Sequence, residues 1–280
     1  MKMIEIENLT FSYQKNGSKI LNNLSLTCET GTVNVLIGLN GSGKTTLIKI
    51  IAGLLDKYSG TVKLMDKDIT TLSIKERSKI MAYVSQRANN VDDFLVSEYL
   101  LFGAVNRTKF YQTPSKEEKE NADFYANKFG IVHLLDKKLG EISGGERQIV
   151  AICGAVIQNA DLIVLDEPTS ALDIRNQNTV LSIIKEIAEK EGKTFLLSSH
   201  NPNHALYLDG NVVVLKKGEI VEFGNAKVLY ENIGSIYASF GKCSVHKVVA
   251  VVAGYFMIIV KGSKVYGITY IICKEWCQSR

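Results

Sequence analysis

The stretch LIGLNGSGKTTLIKIIAG, residues 36–53, decides the fold. It sets three glycines and a lysine between an apolar run and an amphipathic one. Upstream, VNVLIG is short, mostly apolar and ends in glycine, as expected of a parallel strand covered on both faces. Downstream, Leu47, Ile50, Ile51, Leu54 and Leu55 recur at helical spacing. The reading is strand, glycine-rich turn, helix. Gly38, Leu39, Asn40, Gly41, Ser42, Gly43, Lys44 and Thr45 fit the phosphate-loop pattern GxxxxGK[ST]. A polyphosphate needs several backbone N–H donors within about 3 Å, and side chains would obstruct them. Gly38, Gly41 and Gly43 permit that approach and the positive φ angles it requires. The following helix points its positive end at the anion. Lys44 can reach the β- and γ-phosphates, and Thr45 offers a hydroxyl to Mg²⁺. The motif predicts phosphate binding without naming a reaction.

A second stretch supplies acids. In LIVLDEPTSALD, residues 162–173, an apolar strand runs into two adjacent carboxylates. Successive strand side chains point opposite ways, but at the strand end the backbone turns, with help expected from Pro168. Asp166 is then expected to hold Mg²⁺, and Glu167 to face the γ-phosphate and polarise a water. ISGGERQ, residues 142–148, opens a helix: Ser143 is a good cap, and Gly144 and Gly145 clear space for an anion at the helix N-terminus. One chain therefore carries two phosphate-type sites, at 38–45 and 143–146.

The surrounding pattern is α/β. MIEIENLTFSY and SKILNNLSLTC read as strands. Ser73 with Glu76, and Ser115 with Glu118, form capping boxes that open helices. The first helix leads to the strand MAYVSQ; the second presents Phe124, Tyr125 and Phe129 on its apolar face. Residues 88 to 160 are mainly helical, an inserted subdomain. Strands return in LIVLD, TFLLSS and the hairpin VVVL-KKG-EIVEFG. Alternating strands and helices predict a mostly parallel sheet. A tail from about residue 225 offers a short helix and then strands, with KGSK at 261–264 as a turn. The longest apolar run, VVAVVAGYFMIIV at 248–260, falls short of the roughly 20 residues that span a bilayer. Its β-branched residues make it a buried strand. Five cysteines form no CxxC pair; Cys273 and Cys277 share a candidate helix face, and free thiols are expected. The start has no apolar signal region, and a net charge of +4 is too mild to argue for nucleic acid.

On these residues the sequence resembles the nucleotide-binding ATPase subunit of ABC transporters. GLNGSGKTT, ending in Thr46, is similar to that family's Walker A motif, LIVLDEP to its Walker B and SGGE to its signature, in the family's order over about residues 1–225. The resemblance implies a P-loop NTPase (RecA-like) core, an N-terminal antiparallel β region and an inserted helical subdomain, with residues 226–280 a small β-containing extension. It implies that two subunits, identical or homologous, pair head to tail. Each ATP then lies between the phosphate loop of one and Ser143, Gly144, Gly145 and Glu146 of the other. It assigns Tyr13 to adenine stacking, Gln86 to Mg²⁺ and the attacking water beside the membrane partner, Ser170 to Asp173 to the dimer interface, and His200 to the γ-phosphate. Of the four histidines, only His200 follows a buried strand; His204 is expected on a helix surface. Separate integral membrane permease subunits would carry the solute, with a solute-binding protein indirectly involved, at the cytoplasmic face of the membrane.

The subclass is open between readings. VSEYLLFGAV, LDIRNQ and HNPNHALYLDGNVVVLKKGEIVEFG resemble importer ATPases for iron–siderophore, haem and cobalamin. That subclass usually has Gly-Arg at Gly103-Ala104, and arginines near Ile149 and Gly154. The alternatives are an exporter ATPase and a soluble ABC protein acting on ribosomes or DNA.

Overall fold

The computed structural model describes residues 1–14, 17–86, 91–103, 114–231, 250–252 and 255–257. Strands β1 (Lys2–Phe11) and β2 (Leu21–Glu29) pair antiparallel. Strand β3 (Val33–Ile37) then runs into the glycine turn and helix α1 (Lys44–Ile51). Strands β4 (Ser59–Leu64) and β5 (Lys67–Asp68) return to the first sheet, which has the order β2-β1-β4-β5 and is antiparallel throughout. After α2 (Ile74–Ile80) and β6 (Met81–Val84) come the helices α3 (Val96–Phe102), α4 (Lys116–Lys128) and α5 (Gly144–Ile157). The chain continues as β7 (Leu162–Leu165), α6 (Ile174–Glu191), β8 (Thr194–Ser199), α7 (Asn203–Tyr207), β9 (Asn211–Lys216) and β10 (Glu219–Asn225).

The second sheet has the order β10-β9-β3-β8-β7-β6. Only β10 runs antiparallel. Strands β3, β7 and β8 are buried at every position, as strands covered on both faces must be. Helix α1 buries Leu47, Ile48, Ile50 and Ile51 in one cluster with Ile4, Ile6 and Leu9 of the first sheet and Leu36, Val164 and Leu196 of the second. The phosphate-loop helix is therefore fixed by apolar contact with both sheets.

Three details differ from the sequence reading. Helix α1 stops at Ile51, because Gly53 turns left-handed at φ 66° while Arg77 donates to its carbonyl at 2.8 Å; Leu54 beyond it is 59% exposed. Tyr125 on α4 and Phe129 at its C-cap are buried but Phe124 is exposed, its ring edge-on to Tyr125 at 5.2 Å. His204 is not on the surface. It is 7% exposed on α7, with Nδ1 at 2.9 Å from Ser199 Oγ.

The capping boxes at Ser73–Glu76 and Ser115–Glu118 both form. Helices α3 and α5 approach closely: a Cβ on Gly103 would stand 2.6 Å from the Gly154 carbonyl, and one on Gly154 would stand 3.2 Å from the Tyr99 ring. An arginine in place of Gly154 would meet that ring.

The chain divides into two units, Met1–Ala226 and Lys227–Arg280, with α8 (Ala226–Glu231) crossing the division. In the second unit the apolar run is not one strand. β11 (Ala250–Val252) and β12 (Tyr255–Met257) pair antiparallel. The predicted turn at 261–264 and Cys243, Cys273 and Cys277 lie outside the described residues.

Burial lowers the pKa of His204 to about 4. The unfolded chain, with an ordinary histidine near 6.5, then binds more protons between those values. Stability is complete above pH about 6.5 and falls as pH drops toward 4, by up to about 3 kcal/mol. Chemical denaturation across that range should show the slope, and His204→Asn, which never becomes charged, should flatten it.

Candidate functional site

The parallel register aligns the carboxyl ends of four strands. Ile37 of β3 pairs with Ser199 of β8, Leu165 of β7 with Leu197 of β8, and Val84 of β6 with Leu165. The loops that follow carry Gly38 to Gly43, His200, Asp166 with Glu167, and Gln86. Ligands gather at this edge of an open α/β sheet.

The glycines of the loop act for two reasons. Gly41 and Gly43 have φ of 77° and 105°, backbone that favours glycine. Gly38 is not left-handed, contrary to the sequence reading. It is needed for space, since a Cβ there would lie 2.4 Å from the Leu215 carbonyl and 2.5 Å from Ser42 Oγ. Leu39 and Asn40 turn their side chains outward, while Ser42 is buried. Lys44, 5% exposed, folds back over the loop: Nζ donates to the Gly38 carbonyl at 2.7 Å and the Leu39 carbonyl at 3.3 Å. Burial lowers its pKa, against the opposing pull of Glu167 and Asp166.

Tyr13 stands beside the loop, 61% exposed, with its ring edge-on to Phe11. Its hydroxyl lies 3.2 Å from Thr46 Oγ1, so the buried Thr46 is engaged within the chain. Thr45 Oγ1 donates to Asp166 Oδ1 at 3.4 Å.

Glu167, just past the end of β7, is left-handed at φ 51°. Pro168, expected to help the turn, follows that residue. Asp166 points into the sheet and is buried. The Glu167 carboxylate sits between two side chains: Gln86 Nε2 donates to Oε2 at 2.7 Å, and His200 Nε2 stands 2.5 Å from Oε1. Gln86, Glu167 and His200, assigned from separate segments, thus meet.

Sequence reading missed Ser198. Its hydroxyl donates to Asp166 Oδ1 at 2.7 Å and accepts from the Glu167 amide at 2.8 Å. The only signal was a pair of hydroxyls, Ser198 and Ser199, closing the strand TFLLSS.

The second candidate anion site is separate. Ser143 caps α5, with Oγ accepting from the Glu146 amide at 3.3 Å. Glu146 Oε2 accepts from the Ser143 amide and hydroxyl at 2.8 and 2.7 Å, and these bonds lower its pKa. Its carboxylate is therefore used by the cap. Gly144 faces open space, whereas a Cβ on Gly145 would come 3.1 Å from the Ala171 carbonyl. Asp173, in the same loop as Ala171, caps α6 by accepting from the Asn176 amide at 2.7 Å. Among the described residues no hydrogen bond or ion pair joins 38–45 to 143–146.

A glycine turn with a buried lysine ahead of a helix, beside acids on a parallel strand, defines a P-loop nucleotide-binding protein. The comparisons carry this further. The ABC transporter family model matches residues 21–170. The chain is 38% identical over 243 residues to the phosphonates import ATP-binding protein PhnC of Fusobacterium nucleatum, covering 84% of this chain and 98% of that protein. It is 33% identical to a probable iron chelatin transport ATP-binding protein of Helicobacter pylori, over 76% of this chain and 84% of that one. A dimeric structure of a bacterial ABC transporter cassette superposes with a TM-score of 0.73 at 27% identity, covering 80% of this chain and 99% of that chain. The chain belongs to the ABC transporter family, as an ATP-binding subunit with ATPase activity. Among the described residues no helix is long and apolar enough to cross a membrane.

Two substitutions separate the reasons for glycine. Gly41→Ala meets no neighbour and should cost about 1 kcal/mol from its backbone angle alone. Gly38→Ala must displace the Leu215 backbone and should cost about 1–3 kcal/mol. Urea unfolding of both variants checks the order.

Proposed function

We propose that two such subunits close head to tail on ATP and drive solute uptake through separate integral membrane permease subunits, at the cytoplasmic face of the membrane. The carrying observation is that Lys44, Gln86, Asp166, Glu167 and His200 share one edge of the sheet, whereas among the described residues no hydrogen bond or ion pair joins Ser143 to Gly145 to the 38–45 loop. A second subunit brings its Ser143, Gly144 and Gly145, and the Glu146 that holds their cap, to the exposed side of the bound nucleotide. The dimeric cassette that superposes on this chain supports that pairing. Residues 1–225 form the ATPase domain and 226–280 an extension.

Within the site, the loop amides from Gly38 to Thr46 cradle the phosphates, and Tyr13 stacks on adenine. Lys44 exchanges its two loop carbonyls for β- and γ-phosphate oxygens. Thr45 and Asp166, hard oxygen donors 3.4 Å apart, together with Gln86 suit Mg²⁺, which when bound neutralises phosphate charge. Glu167 orients the attacking water and accepts its proton, while His200 steadies the γ-phosphate and the Glu167 carboxylate.

The solute is a metal chelate such as iron–siderophore, haem or cobalamin, delivered by a solute-binding protein. The Helicobacter pylori relative and the resemblance of residues 96–105 and 200–224 support this. The phosphonates import relative favours a second reading, an organophosphonate cargo. Copurified with its permease, the complex should hydrolyse ATP faster with a ferric chelate or cobalamin than with a phosphonate. The reverse ranking would overturn the chelate reading.

Lys44→Ala should abolish nucleotide binding. Glu167→Gln should keep binding and stop turnover, leaving an ATP-trapped dimer on size-exclusion chromatography. Turnover by Glu167→Gln at the wild-type rate would remove Glu167 from its role.

A further inference from the structure

Ser198 is completely buried at the penultimate position of β8, between Leu197 and Ser199. A buried hydroxyl requires partners, and this one has two of unusual kind. Both belong to the acid pair of β7. Strand register places Leu165 against Leu197, so the next residues along, Asp166 and Ser198, stand side by side. A serine hydroxyl has one proton to give. The Glu167 amide points its own hydrogen at Oγ at 2.8 Å, so Oγ accepts there and its proton goes to Asp166 Oδ1 at 2.7 Å. The direction of the relay is fixed.

Each end of the relay controls something the reaction needs. At one end, Asp166 Oδ1 takes hydroxyl protons from Ser198 and, less closely, from Thr45. These charge-assisted bonds fix the carboxylate's rotation. At the other end, the amide bond holds the Glu167 peptide in a left-handed conformation that a non-glycine residue adopts only at a cost. That conformation carries the Glu167 side chain out of the strand and between Gln86 and His200. Without it, consecutive residues of a strand would face opposite ways.

We propose that Ser198 is a positioning residue for ATP hydrolysis: one hydroxyl sets both the metal-holding orientation of Asp166 and the backbone turn that presents Glu167 to the water. The inference rests on the reading of Asp166 and Glu167 given above.

Three variants test it in the full chain. Ser198→Ala removes the hydroxyl. Ser198→Cys keeps nearly the same volume with a weak donor, and so isolates the hydrogen bonds from packing. Ser198→Thr keeps the hydroxyl. Alanine and cysteine should lower kcat by about 10- to 100-fold, in line with other residues that orient metal ligands, with KM for ATP changed far less. Both should also raise the Mg²⁺ concentration for half-maximal activity. A second readout needs no turnover. Fluorescent ATP should bind as in wild type in EDTA, while the affinity gained on adding Mg²⁺ shrinks. Threonine should restore both. If wild type is active and the alanine and cysteine variants match it within about two-fold in kcat and in Mg²⁺ dependence, the inference is overturned while the site reading stands. If wild type neither binds nor hydrolyses ATP, the site reading itself is overturned.

Discussion

Everything at the site depends on how β3, β8, β7 and β6 are held in register. Strands β3, β7 and β8 are buried at every position and mostly apolar along β3 and β7, so over much of their length a slip of one residue would still bury apolar side chains. Hydrophobic pattern specifies such a register only weakly. The polar groups at the strand ends supply the missing specification. At one end, Thr194 Oγ1 accepts from the Gly31 amide and Asn211 donates to Asn34. At the other, Ser198 joins Asp166 and Glu167. A slip would break these bonds and strand several buried polar groups, each at a cost of about 1–3 kcal/mol.

Register then sets the electrostatics. Asp166 and Lys44 are both removed from water, and buried charges need compensation. Asp166 finds it in two hydroxyls. Lys44 finds only neutral carbonyls of its own loop, and burial prevails over the acids in lowering its pKa. Its charge is thus poorly compensated until an anion arrives. A polyphosphate improves the environment of the lysine as the lysine improves that of the polyphosphate, which makes the loop selective for dense negative charge over a neutral ligand.

Much of this was legible in the sequence because its signals are local. The glycine spacing, the serine–glutamate capping boxes at Ser73 and Ser115, the Ser143 cap and the apolar strand LIVL each declare themselves within a few residues. What escaped depends on tertiary contact. The left-handed backbone at Glu167 has no glycine or asparagine to mark it; it exists because β8 offers Ser198 to its amide. The burial of His204 follows from α7 turning back onto Ser199, which no helical period predicts in five residues. The early end of α1 is set by Arg77, 24 residues away from Gly53. The run at 248–260 shows the limit of composition: its β-branched content gives strand, but the fold-back between Val252 and Tyr255 is invisible to an argument from hydropathy alone.

The two candidate anion sites are unequal, and the inequality gives the proposed pair an order of events. At the start of α5, the cap takes the Ser143 and Glu146 amides, leaving those of Gly144 and Gly145 as the helix's remaining first-turn donors. The Glu146 carboxylate beside them offsets part of the helix's positive end. Alone, this tip is a weak anion receptor. The loop at 38–45 has its amides, a helix end and a buried cation together. In the proposed pair, nucleotide would settle first on the loop, and the partner's weaker tip would be drawn onto the outer face of the triphosphate only afterwards. Loss of the γ-phosphate would remove that attraction first from the weaker contact, so on this proposal hydrolysis would open the pair before the nucleotide leaves.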